Sequence, residues 1–323
     1  MQSARPTTRP TTRLAPSPTG ALHLGNARSF LICWAMARAS GWRIILRIED
    51  LDGPRIKPGA IESCINTLSW LGMDWDDAPL IQSTDLTPYI DAMHLLASRA
   101  LTYPSELSRT QIELAASAPQ EGAHDQHFPS SLRPPLIPHE FDPANTSVGW
   151  RFATSSGPVT FTDLCAGHQS IDPAQTIGDF VIWTKRAQPA YQLAVVVDDA
   201  RQGITHIIRG NDLLDSAARQ LLLYRALHLT SEPTYCHLPL VRGSDGKRLA
   251  KRHGDTRIDT YRALGVPAEA IIGLIALWSG VLPHRQSLSA AEFSSGFNIS
   301  TLPPSDITFT AEDHAWLLSN IRK

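Results

Sequence analysis

His23, Gly25 and Asn26 close the stretch Arg13-Leu14-Ala15-Pro16-Ser17-Pro18-Thr19-Gly20-Ala21-Leu22-His23-Leu24-Gly25-Asn26, and their types suit phosphate chemistry. An imidazole can donate to a phosphate oxygen. Gly25 lets a phosphate approach the main chain where the first N–H groups of a helix are unsatisfied. Pro16 and Pro18 stiffen the loop, and Gly20 is expected to permit a bend that a β-carbon would resist. A second kind of chemistry is spread along the chain. The Arg13 and Arg209 guanidiniums can make planar two-point bonds to carboxylates. The Glu49 carboxylate can hold an ammonium group, and Tyr191 offers a hydroxyl. The competing reading is structural: Arg13 and Arg209 could instead pair with Glu49 or Asp50.

The elements that must position these residues alternate. Ala27, Phe30, Leu31, Trp34 and Ala35 recur at helical spacing over Asn26–Ala39, and Gly41 follows as a stop. Arg43–Ile48 reads as a strand buried on both faces, with Glu49 and Asp50 at its carboxyl end, where open α/β sheets place ligands. Ile61, Ile65, Leu68 and Leu71 mark a helix ending at Gly72. Another begins at Thr87-Pro88, with Tyr89, Met93 and Leu96 on one face. Such alternation predicts a doubly wound parallel α/β sheet.

The texture changes over 101–189. Proline is dense between Pro129 and Pro143, and periodicity is poor until Trp150-Arg151-Phe152, so this stretch reads as an inserted α+β subdomain. Tyr191–Val197 reads as a buried strand, and Ile204–Ile208 as another that ends at Arg209-Gly210. A helix rich in Leu221, Leu222, Leu223 and Leu227 follows. Glu269–Trp278 is apolar and helical, and a polar end with a Pro303-Pro304 break comes last. The expected organisation is a tail (1–12), a first half-domain (13–100), the insertion (101–189), a second half (190–240) and a mostly helical C-terminal segment (241–323).

Composition narrows the classes. The 323 residues carry a formal net charge of −2, with 42% hydrophobic and 19% charged residues. A packed core is available, and coating of nucleic acid by bulk charge is excluded. Any RNA would be met by a local basic face. No apolar run approaches the roughly 20 residues a bilayer span needs. The Arg/Pro/Thr-rich start lacks the apolar segment of a secretory signal. Cys33, Cys64, Cys165 and Cys236 are far apart and are expected to be buried free thiols in a reducing compartment. A cytoplasmic monomer with no membrane association is the expectation.

His23-x-Gly25-Asn26 resembles the HIGH signature of class I nucleotidyl-transferring enzymes. Together with Arg47-Ile48-Glu49-Asp50, the stretch from Arg13 resembles the opening of the glutamyl-tRNA synthetases. Lys247-Arg248-Leu249-Ala250-Lys251-Arg252, alone a solvated charge run, resembles in this company the second signature, KMSKS, with Ala250 where serine is usual. The resemblance implies a Rossmann-like catalytic domain that joins L-glutamate to ATP. His23, Asn26 and Lys251 would be catalytic, and His23, Gly25 and Lys251 would contact ATP, which arrives with Mg2+. Attack of a carboxylate on the α-phosphorus builds charge as pyrophosphate leaves, and a mobile Lys251 and His23 would stabilise it in the transition state. Glutamate would be held by Arg13, Leu14, Ala15, Pro16, Ser17, Glu49, Tyr191 and Arg209.

Within that family two features resemble the glutamyl-Q tRNA(Asp) synthetases, which transfer glutamate to the queuosine base of an anticodon. The chain runs only to Lys323 after the Lys251 loop, with little room for anticodon-reading helical domains. Val195 stands where full-length charging enzymes carry asparagine. The implied partner is tRNA(Asp) bearing queuosine, with Arg242, Lys247, Arg248, Arg252 and Arg257 as candidate phosphate contacts or, equally, as solubility charges. One departure stands out. The family commonly holds zinc in the insertion through Cys-x-Cys and then tyrosine and cysteine, whereas this chain has Ser105, Leu107, Phe128 and Leu132 there. Apolar side chains give no lone pair to a metal, so no metal is expected, and His124 and His127 read as a polar loop. The alternatives are a shortened enzyme charging a tRNA 3′ end, a catalytically silent RNA-binding paralogue, and a small-molecule nucleotidylyltransferase sharing only the His23 loop.

Overall fold

Thr11–Leu14 forms strand β1, buried along its whole length. The helix α1, Leu24–Ala39, starts two residues ahead of the periodic run and is capped at its C-terminus by Ser40, with Gly41 at φ +67° just beyond. That left-handed turn is one that only glycine adopts without strain. Strand β2, Arg43–Ile48, has the bounds its apolar run predicts and pairs in parallel with β1, Thr11 opposite Arg43 and Leu14 opposite Leu46. The helix α2, Ala60–Trp70, leads through Gly72 to the short strand β3, Leu80–Ile81, which lies parallel to β2. The computed structural model describes residues 9–107, 127–247, 249 and 256–321. By contact the chain divides into a first unit (Met1–Gln82, Ile204–Asp212, Tyr235–Lys323) and a second (Ser83–Gly203, Leu213–Thr234).

The second unit opens with α3, Thr87–Ser98, whose Tyr89, Met93 and Leu96 are fully buried. Strand β4, Thr102–Ser105, pairs antiparallel with β5, Gly149–Phe152. A hairpin follows, β6 (Val159–Asp163) and β7 (Gly167–Ile171). Strands β8, Phe180–Thr184, and β9, Gln188–Pro189, complete a sheet in the order β4-β5-β8-β9. Tyr191–Arg201 is then a helix, α4, not the strand expected over Tyr191–Val197. Leu193, Ala194, Val195 and Val196 are all buried, and a run apolar on every side carries no period to separate helix from strand. Within α4, Asp198 is fully buried and accepts from the Tyr89 hydroxyl (3.1 and 3.0 Å) and from Arg201 Nε (2.8 Å). The helix α5, Leu214–Ala226, packs on α4.

Back in the first unit, β10 is His206–Gly210 and β11 is Thr234–Leu238, its neighbour in the sheet. The start of β10 lies beside the start of β1: Thr205 N donates to Thr11 O (2.9 Å) and Thr12 Oγ1 to His206 O (2.9 Å). Strands β1, β2 and β3 thus form one parallel sheet in the order β1-β2-β3, and the starts of β1 and β10 lie side by side. Strand β12, Val241–Arg242, pairs in parallel with β13, Ile307–Thr308. Helices α6 (Ile258–Ala263), α7 (Ala268–Trp278), α8 (Ala290–Gly296) and α9 (Ala311–Ser319) make the C-terminal part mostly helical. One apolar core joins Leu14, Leu31, Ile44 and Leu46 to Ile271, Leu274 and Phe293. The architecture is Rossmann-like α/β. No helix among the described residues is long and apolar enough to cross a membrane. Cys33, Cys64 and Cys236 are buried, whereas Cys165 is exposed in the turn joining β6 to β7. Burial and then Asp259 push the Cys64 thiol up to about 11.

Candidate active site

The turn between β1 and α1 is organised by a reciprocal cap. His23 is the N-cap of α1: its Nδ1 accepts from Asn26 N (3.3 Å), and Asn26 Oδ1 accepts from His23 N (3.5 Å). A ring nitrogen that accepts bears no proton, so in the neutral imidazole the proton sits on Nε2. Asn26 therefore orients His23 as an Nε2 donor. Gly25 makes room for this ring, since a Cβ there would sit 3.1 Å from His23 Cε1 and 3.2 Å from Nδ1. Leu24 N donates to Thr256 O (3.1 Å), which leaves the Gly25 N–H as the first-turn amide that neither the cap nor Thr256 takes. Gly20 does not do what its type suggested. It adopts no positive φ, and a Cβ there would meet nothing.

The chain leaving the basic loop returns to this turn. Besides the Leu24–Thr256 bond, Ile258 N donates to Leu22 O (2.8 Å), and His23 and Arg257 form an antiparallel bridge. Arg248, Ala250, Lys251 and Arg252 lie outside the described residues, while Leu249 is buried. Lys247 and Arg257 are exposed. Arg242 is not an open cation, because it forms an ion pair with Asp306 and donates to Gly246 O (3.2 Å). The Asp306 carboxyl is pushed up by burial but held below its ordinary range by Arg242 and the Leu240 N–H.

The charged residues of the first unit gather at strand ends. Arg13 is buried near the end of β1, followed by buried Leu14 and Pro16, half-buried Ala15 and exposed Ser17. Glu49 follows β2, and its N–H donates to Pro16 O (3.0 Å), so the two strand ends are tied together. Arg47, fully buried two residues earlier, donates to Glu49 Oε1 from Nη2 (3.1 Å) and Nε (3.3 Å). Arg209 lies at the end of β10, 6% exposed, and donates from Nε to His237 Nε2 (3.0 Å). The structure thus brings Arg13, His23, Asn26, Glu49 and Arg209 into one unit. Tyr191, the first residue of α4, belongs to the second unit and is 40% exposed. Sequence reasoning missed Arg47 and His237. Arg47 carried a usable signal, since residues i and i+2 of a strand share a face.

Of the four positions where the family's metal ligands are expected to be replaced, Leu107, Phe128 and Leu132 join an apolar cluster, and Ser105 ends β4. Tyr103 and Phe128 are fully buried, with Leu107, Leu132, Ile137 and Ala153 packed against them. The Arg151 guanidinium lies 3.9 Å over the Phe128 ring. Burial lowers the Arg151 pKa. These side chains do not fit a zinc site. His127 Nε2 lies 3.2 Å from Ala174 O, and His124 falls outside the described residues.

Comparison with known proteins supplies the family. Residues 10–314 match the model of the catalytic domain of class I tRNA synthetases (E and Q). The glutamyl-Q tRNA(Asp) synthetase of Rhodopirellula baltica is 46% identical, with 85% of this chain and 86% of that one covered. Its counterpart from Symbiobacterium thermophilum is 41% identical over 94% of this chain and 97% of its own. The crystal structure of a glutamate-tRNA synthetase from Elizabethkingia anophelis superposes with a TM-score of 0.77 at 26% identity, covering 96% of this chain and 70% of that one. The chain belongs to the class I tRNA synthetase family for glutamate and glutamine, on the side of it whose curated members are named glutamyl-Q tRNA(Asp) synthetase.

Proposed function

We propose that this ligase-type enzyme activates L-glutamate with ATP and passes the glutamyl group to queuosine in the anticodon loop of tRNA(Asp). The observation that carries the activation step is the His23–Asn26 cap, which fixes a proton-bearing Nε2 at the N-terminus of α1. There the helix dipole and the Gly25 N–H also favour a phosphate. The glutamate α-carboxylate attacks the α-phosphorus and pyrophosphate leaves. His23 Nε2 donates to the phosphate oxygens as their charge grows, and Lys251 supplies the cation. Arg13 and Arg209 take the substrate carboxylates, Glu49 the ammonium group and Tyr191 a hydrogen bond. Mg2+ arrives with ATP. The insertion over 101–189 receives the acceptor RNA without zinc, a reading supported by the packing of Tyr103, Phe128, Leu107 and Leu132.

Val195 favours the modifying reaction over 3′-end charging. It lies one turn along α4 from Tyr191 and is 1% exposed, so an apolar side chain is packed where an asparagine would place an amide. The test uses labelled glutamate, ATP and two tRNA pools, one containing queuosine and one lacking it. Label confined to the queuosine pool that survives oxidation of the 3′ end is the expected result. Label on both pools that oxidation abolishes identifies a charging enzyme instead.

A further inference from the structure

His237 lies on β11 facing Arg209 of the neighbouring strand β10, and both are buried, at 2% and 6% exposure. Arg209 Nε donates to His237 Nε2 at 3.0 Å. The same guanidinium lies 5.3 Å from the centroid of Tyr235, whose ring stacks on that of His237 at 5.6 Å and 15°. Tyr235 and His237 are i and i+2 on one strand and so share a face. Together they grip one edge and one side of the arginine.

We infer that His237 is the positioning residue that sets how Arg209 presents itself to the substrate carboxylate. The inference rests on the reading of Arg209 as a glutamate contact. An arginine can bind a carboxylate side-on, through Nε and Nη2, or end-on, through Nη1 and Nη2. With Nε committed to His237, the side-on fork is closed and the carboxylate must approach end-on. The bond requires a lone pair on Nε2, so the imidazole is neutral with its proton on Nδ1. A cationic ring could not accept from Arg209 and would repel it.

The test compares His237→Gln, whose amide reaches the Nε2 position, with His237→Asn, whose amide stops at the Nδ1 position, and with Arg209→Lys, all in the full chain. Calorimetry with L-glutamate measures binding, and ATP–pyrophosphate exchange measures KM for glutamate and for ATP. His237→Asn is expected to weaken glutamate binding about tenfold, and His237→Gln to stay within about twofold of the parent, the size of one hydrogen bond to a charged group. KM for ATP should not move. Equal behaviour of the two variants, or an equal rise in KM for ATP, overturns the inference. If Arg209→Lys binds glutamate as tightly as the parent, the reading of Arg209 fails and the inference falls with it. If Arg209→Lys is weakened while His237→Asn is not, the inference alone fails. Independently of any variant's folding, 15N–1H NMR of the parent's histidine rings should show His237 neutral and protonated on Nδ1. A proton on Nε2 overturns the assignment.

Discussion

Both units set arginine beside a hydrogen-bonding partner, but they use it differently. In the second unit Asp179 is saturated. Its carboxylate accepts from the Tyr103 hydroxyl (2.5 Å), from Arg133 Nε and Nη2 (2.5 Å each) and from Thr154 N (2.8 Å). Arg151 Nη1 closes the knot on Asp179 O (2.7 Å). Burial and then the bond to Asp179 push the Tyr103 phenol well above its ordinary range, and the Asp179 bond likewise raises Arg133. In the first unit Arg47 braces Glu49 and His237 braces Arg209, each pair standing where a parallel strand ends. A knot that satisfies a buried carboxylate from every side fixes a fold. A brace at a strand end fixes the direction of a charge, which is what ligand recognition requires.

The widest separation of the two roles should come from Gly178, in the second unit. It sits at φ +71°, and a Cβ would fall 1.8 Å from the Phe128 carbonyl oxygen. Gly178→Ala should therefore cost about 4 kcal/mol from overpacking plus left-handed strain, read by denaturant unfolding. A cost near that of an ordinary surface change would mean the insertion is not pinned there. Asp179→Asn should cost roughly 3 kcal/mol, since it breaks a buried ion pair on one side. KM for glutamate should stay put in molecules that remain folded, and a rise would blur the division. Arg47→Met should do the reverse. It should raise KM for glutamate about tenfold by releasing Glu49, with kcat falling less, as steady-state exchange kinetics would show. Smallest of all, dialysis against a strong chelator followed by return of Mg2+ should leave the melting curve unchanged. A drop restored by zinc would show that the cluster of Tyr103, Phe128, Leu107 and Leu132 does not replace a metal.

How much could be read without coordinates depended on the range of the interaction. The cap at His23 and Asn26 spans three residues and was legible as a loop-to-helix junction. The run Arg43–Ile48, the stop at Gly41 and the helix expected over Glu269–Trp278 are equally local, and the structure places the first two where their patterns put them and the helix over Ala268–Trp278. The phosphate-binding and glutamate-binding candidates of the first unit were chosen by type and by expected place, and Arg13, Glu49 and Arg209 do stand at or just past strand ends. Some readings failed because type and position were not enough. Gly20 needed no glycine's freedom, Cys165 was not buried, and Arg242 was already paired with Asp306.

Sequence alone determined the local grammar of this protein: where β2 runs, where a loop gives way to α1, and which side chains can meet phosphate or carboxylate. It also determined that Leu107, Phe128 and Leu132 cannot ligate zinc, because that follows from atoms rather than from folding. Tertiary structure decided the rest. Tyr191–Arg201 became a helix that satisfies its own backbone while the tertiary packing buries Leu193, Ala194, Val195 and Val196 together. His237 met Arg209 across 28 residues and Arg133 met Asp179 across 46, on strands or loops whose adjacency no local pattern encodes. The chemistry of a side chain is written in its type, but its partner is chosen by the fold.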